Sequence, residues 1–151
     1  MGNQNFAVSF TVDKSPDAVF AAINNVRGWW SGQIDGVTDK IGAEFTYRYG
    51  DVHLSKQKVT ELTPGRKIVW HVTDANLSSF GKKTEWKGTN IVFEIAQKGD
   101  RTEVQFTHIG LVPDFECYGD CSDAWGALVR GNLRRLIITG KDQADAFQSK
   151  V

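Results

Sequence analysis

Hydrophobic and polar positions alternate along much of the chain. Phe6, Val8, Phe10 and Val12 are separated by Ala7, Ser9 and Thr11, the period-two signature of a strand with one buried face. The pattern stops at Asp13-Lys14. Ser15 then offers an N-cap hydroxyl, and Pro16 takes the first helical position, where its missing N–H costs nothing. Val19, Phe20 and Ile23 follow at helical spacing, so a short amphipathic helix should end near Asn24-Asn25. Trp29-Trp30 belong to a second short helix, and adjacent residues cannot share one helix face. One indole is therefore expected to be partly exposed or to cap the core edge. Gly32, Gly36 and Gly42 predict a loop.

From Glu44 the period returns to two. Phe45, Tyr47 and Tyr49 alternate with Glu44, Thr46 and Arg48, and Gly50-Asp51 predicts a hairpin into a strand over 52–62. Thr63-Pro64-Gly65-Arg66 reads as a turn before a strand over 67–73. A polar loop follows at 76–83. The spacing then predicts a strand over 86–97, with Thr89, Ile91, Phe93 and Ile95 on one side. A hairpin at Lys98-Gly99-Asp100 leads to a strand over 102–109, where Val104, Phe106 and His108 share a face. From Asp114 to about Thr139 the period becomes helical. Tyr118, Cys121, Trp125, Leu128, Asn132 and Leu136 fall at steps of three and four, and Val129, Leu133 and Ile137 widen the stripe. Gly126 and Gly131 inside this helix each cost about 1 kcal/mol relative to Ala. Close packing over a sheet, or room for a ligand, would account for them.

This order (strand, helices, strand meander, long helix) predicts an α+β fold in one domain spanning 1–151. About six antiparallel strands form a curved sheet around the C-terminal helix, with two short helices after the first strand. Composition narrows the function. Lys plus Arg and Asp plus Glu are both 18, a zero formal charge that argues against nucleic-acid binding and against a polybasic membrane anchor. No apolar run approaches the ~20 residues of a membrane span, and no secretory leader is visible. With only two Cys, a reducing cytoplasm is the expected location. Five Trp, nine Phe and three Tyr are enough to build a large core or to line an apolar pocket.

Four segments carry a family resemblance: FAVSFTVDKSPDAVFAAI, VRGWWSG, VTELTPGRKIVWHV and DAWGALVRGNLRRLI. In their order and spacing the chain resembles the START-like (SRPBCC) superfamily, with the helix-grip fold of birch-pollen allergens. Within it, the chain is similar to the family homologous to the C-terminal domain of the activator of the 90 kDa heat-shock protein ATPase. The resemblance implies a ligand cavity between sheet and last helix. It also raises a co-chaperone-like interaction module, or a homodimer, as an alternative. The fold further hosts aromatase/cyclases and hydrolases, which leaves catalysis on an aromatic or polyketide-like substrate as a third reading.

The expected ligand is a small hydrophobic or amphipathic molecule. Candidate lining residues are Phe45, Tyr47, Tyr49, Trp70, Phe93, Phe106, His108, Tyr118, Cys121, Trp125 and Asn132, with His108, Tyr47 and Asn132 as polar orienting groups. A structural, hydrogen-bonded imidazole is the competing reading of His108. Arg48 and Glu94 should face solvent unless the register slips by one. Cys117 and Cys121 share a helix face, but no second ligand pair accompanies them, so neither a metal nor another cofactor is expected. The acidic run Asp114, Glu116, Asp120 and Asp123 suits a helix N-terminus. No nucleophile elbow, phosphate loop or dinucleotide fingerprint is present. The protein-interaction alternative would use an exposed surface around Trp29-Trp30.

Overall fold

The computed structural model describes residues 5–30, 33–49, 53–76, 86–112 and 118–140, with His53 and Asp120 described by their backbone alone. Strand β1 (Phe6–Val12) leads into helix α1 (Pro16–Asn24) and a single 3-10 turn, Val26–Gly28. Strands β2 (Gln33–Gly36), β3 (Glu44–Tyr49), β4 (His53–Thr63), β5 (Lys67–Asn76), β6 (Asn90–Lys98) and β7 (Arg101–Ile109) follow. They form one antiparallel sheet in the order β1-β7-β6-β5-β4-β3-β2. The C-terminal helix starts as α2 (Tyr118–Gly126), widens into a π segment (Ala127–Leu133) and resumes as α3 (Arg134–Thr139).

Local chemistry accounts for most boundaries. The Ser15 hydroxyl accepts from the Ala18 N–H at 3.1 Å, so α1 begins at its expected cap. Gly140 closes the last helix in the left-handed region at φ 73°, with its N–H on the Leu136 carbonyl. Two expectations change. The glycine-rich stretch contains strand β2, so the sheet has seven strands among the described residues; four residues with a single buried Ile34 are too short to show a period. Trp86 lies in a turn, and its strand starts only at Asn90. Of the expected loop at 76–83, Asn76 instead ends β5, and the rest, like the expected helix start at 114–117, lies outside the described residues.

The sheet buries one face against α1 and the C-terminal helix. The ladder between β4 and β5 carries two irregularities, between Lys56 and Gln57 and between Val59 and Glu61. Each adds one residue to one strand, which bends and twists the sheet. Across them, Val72 and Ala75 face the core together, as do Val59 and the partly buried Leu62, although each pair is three residues apart.

The π segment does a related job for the helix. Cys121, Trp125, Val129, Leu133 and Ile137 are all buried and all four residues apart. In a regular helix of 3.6 residues per turn, each such step drifts by about 40°. Four steps would carry Ile137 off the core face. The wider turn of the π segment cancels part of that drift. Gly126 and Gly131 do not serve close packing: a Cβ at either would meet nothing within 4 Å. Gly131→Ala is therefore expected to raise the unfolding free energy by about 0.5–1 kcal/mol, read from the urea midpoint. A loss of stability would mean that the π segment depends on that glycine.

Candidate functional site

Alternation decides which side chains meet on the covered face. Phe45 and Tyr47 from β3, Trp70 from β5, Phe93 from β6, Phe106 and His108 from β7, and Trp125 from the helix come together there, none more than 6% exposed. Trp29, Trp30 and Trp86 join them. Trp30 stacks on Tyr47 with centroids 4.0 Å apart, lies parallel to Trp70 at 6.0 Å and meets Trp125 at 5.0 Å. Trp86 stacks on Trp125 at 5.6 Å. Both Trp29 and Trp30 are buried, which overturns the partly exposed alternative of the two expected for this pair. The chain has left its helical turn before Trp29, so the rule for helix neighbours no longer applies. An interaction surface built on this pair is ruled out with it.

The remaining expected lining residues divide. Cys121 is buried in the cluster, and Tyr118 packs part-buried against it. Asn132 donates from Nδ2 to the Trp29 carbonyl at 3.0 Å. Tyr49 stands apart. It has the parity of Tyr47 but is the last residue of β3, beyond the ring cluster, and is 54% exposed. Arg48 and Glu94 face solvent as expected, and half-buried His71 holds Asn90 Oδ1 through Nδ1 at 2.9 Å.

His108 is a fully buried structural imidazole. The Trp125 indole N–H can only donate, and it reaches His108 Nδ1 at 3.1 Å, so Nδ1 is the acceptor. The ring proton then sits on Nε2 and is donated to Thr89 Oγ1 at 2.8 Å, whose own proton goes to the Trp86 carbonyl at 2.6 Å. Gly110 makes room for this chain, since a Cβ there would lie 2.7 Å from Thr89 Cγ2. Tyr47 is also held within the protein. Burial raises its hydroxyl well above the ordinary value, the neighbouring Tyr49 adds to the rise, and a hydrogen bond with Trp30 opposes it. A raised folded-state value means that Tyr47 contributes stability in full below about pH 10 and loses it above. Urea midpoints should therefore fall as pH rises past 10, and Tyr47→Phe should flatten that fall.

Ser55 and Gln57 were not anticipated, and both are completely buried on the covered face. Gln57 Nε2 donates to Ser55 Oγ at 2.5 Å, while Gln57 Oε1 has no hydrogen-bond partner. Neither has the buried Trp70 Nε1. The signal was present in the sequence: Lys56 and Lys58 must face solvent, which turns Ser55, Gln57 and Val59 inward. Elsewhere, a surface groove of about 650 Å³ runs between α1 and the segment after β2, lined by Phe20, Asn24, Arg27, Val37 and Thr38 among others.

Among the described residues no charged side chain is buried, and no three His, Cys, Asp or Glu converge as a metal site requires. Cys117, Asp114 and Glu116 lie outside the described residues. No helix there is long and apolar enough to cross a membrane.

Comparison with known proteins accords with this architecture. The solution structure of an Aha1 dimer from Colwellia psychrerythraea matches with a TM-score of 0.72 at 22% identity, over 91% of this chain and 98% of that one. Protein MLL2253 from Mesorhizobium loti matches with a TM-score of 0.71 at 15% identity, over 89% and 96%. Mll3558 from Rhizobium loti follows with a TM-score of 0.66 at 17% identity, over 84% and 92%. At these identities the likeness speaks for the fold. No curated protein matches the sequence. The model of the family described as activator of Hsp90 ATPase homolog 1-like protein matches residues 13–137, and on that match the chain belongs to this family.

Proposed function

We propose that this chain, as one START-like domain, binds a small and largely apolar molecule between the inner face of its sheet and the C-terminal helix. The observation that carries the reading is a pair of buried polar atoms, Gln57 Oε1 and Trp70 Nε1, without partners inside an otherwise ring-lined interior. Buried polar groups are almost always satisfied, by protein, water or ligand. Aromatic walls with a few polar groups are the usual make-up of a small-molecule site. Phe45, Tyr47 and Trp70 supply the walls nearest that pair: Phe45 lies opposite Gln57 in the ladder, and Tyr47 opposite Ser55.

The test is a titration with the neutral dye N-phenyl-1-naphthylamine. Saturable fluorescence enhancement is expected for the wild-type protein. Ala75→Leu enlarges a buried residue paired with Ser55 and should weaken binding by about tenfold while unfolding stays cooperative. No enhancement with the wild type sinks the reading. A buried acid–base pair, which catalysis on a bound substrate needs, finds no charged member among the described residues. Pairing of two copies is a second reading, favoured by the dimeric Colwellia relative and tested by sedimentation. A cytoplasmic location belongs to the same reading and fits a chain with only two Cys.

A further inference from the structure

We propose that the corner formed by Gln57 and Trp70 takes a neutral group of the ligand that both donates and accepts a hydrogen bond, such as a hydroxyl or a carboxamide. The inference rests on the ligand reading above and deepens it. Gln57 pairs with Val72 across the β4–β5 ladder, and Trp70 pairs with Val59. The two side chains are thus diagonal neighbours on one face, within reach of a common partner. Both are fully buried, and they do not bond to each other. The indole N–H can only donate and the amide oxygen can only accept. One group with a lone pair for the first and a proton for the second satisfies both.

Two further observations point the same way. The two irregularities in the ladder bracket the stretch that holds Gln57 and Trp70, and such bulges re-aim side chains next to binding sites. Beside the stretch, Ser55 and Ala75 face each other as a pair of small residues, which limits how far protein atoms fill the corner. Charge sets the ligand class. The buried polar side chains described are Thr38, Ser55, Gln57, Thr89, Thr102 and His108, and none offers a formal charge to a neighbour. A carboxylate would enter without a cation and would face the lone pairs of Gln57 Oε1.

The experiment is calorimetric titration of the full chain with four probes of one shape: naphthalene, 2-methoxynaphthalene, 2-naphthol and 2-naphthoate. The expected result is that 2-naphthol binds about tenfold tighter than 2-methoxynaphthalene, which accepts but cannot donate. Gln57→Met keeps the side-chain length and should erase that advantage, so that 2-naphthol and 2-methoxynaphthalene bind the variant equally. Equal affinity of the wild type for 2-naphthol and 2-methoxynaphthalene overturns the proposal, as an ordered water filling the corner would produce. Tighter binding of 2-naphthoate than of 2-naphthol, or a full 2-naphthol advantage in Gln57→Met, overturns it as well. If none of the four binds, the ligand reading itself fails, an outcome distinct from equal binding. Should Gln57→Met not fold, the wild-type ratio of the two probes still decides.

Discussion

Trp30→Ala is expected to lower the unfolding free energy by about 3–5 kcal/mol, the range for removing a large ring from a packed core. The indole is 2% exposed and lies against Tyr47, Trp70, Trp125 and Trp29, with ring centroids 4.0 to 6.2 Å away. Deleting it removes those contacts together with the hydrogen bond to the Tyr47 hydroxyl. The remaining rings come from β3, β5, the C-terminal helix and the turn that holds Trp29, separate elements that cannot all collapse into the gap. Urea unfolding should show a lower midpoint at unchanged slope. Tyr49→Ala is the contrast, because its ring is 54% exposed and its loss should stay within about 0.5 kcal/mol. A Trp30→Ala cost below about 1 kcal/mol would contradict a load shared across this stack.

That result bears on how far the chain can be read without its structure. Period-two alternation identified the inward positions of β3, β6 and β7, and Ser15-Pro16 marked the start of α1. These signals are local, so they survive in sequence. What escaped depends on irregular geometry. Leu62 and Ala75 fall out of phase with Val59 and Val72, and only the bulges restore them to the core. The helix-face rule does not hold for Trp29 and Trp30, whose backbone lies beyond the 3-10 turn. Trp86 reaches the stack from a turn, where no period exists. The polar corner was legible in principle through the outward lysines beside Gln57. It is hard to read there because polar inward residues yield no hydrophobic signal.

The second large effect concerns His108, and it separates structural from orienting roles. Trp125→Phe keeps most of the ring volume but leaves His108 Nδ1 buried without its indole donor, a loss of about 1–3 kcal/mol. His108→Leu strands the Trp125 N–H in the same place and removes the donor to Thr89, with a similar or larger cost. Combining the two changes removes both ends of one hydrogen bond. The double variant should therefore be about 1–3 kcal/mol more stable than the sum of the single losses predicts. Strict additivity in this cycle would mean that the Trp125–His108 bond is not formed in solution. Naphthalene titration of the same variants asks what else the histidine does. An imidazole whose two nitrogens are committed to Trp125 and Thr89 is a positioning group for the aromatic wall. Its loss should then weaken naphthalene and 2-naphthol equally, whereas a selective loss for 2-naphthol would show His108 touching the ligand's polar group.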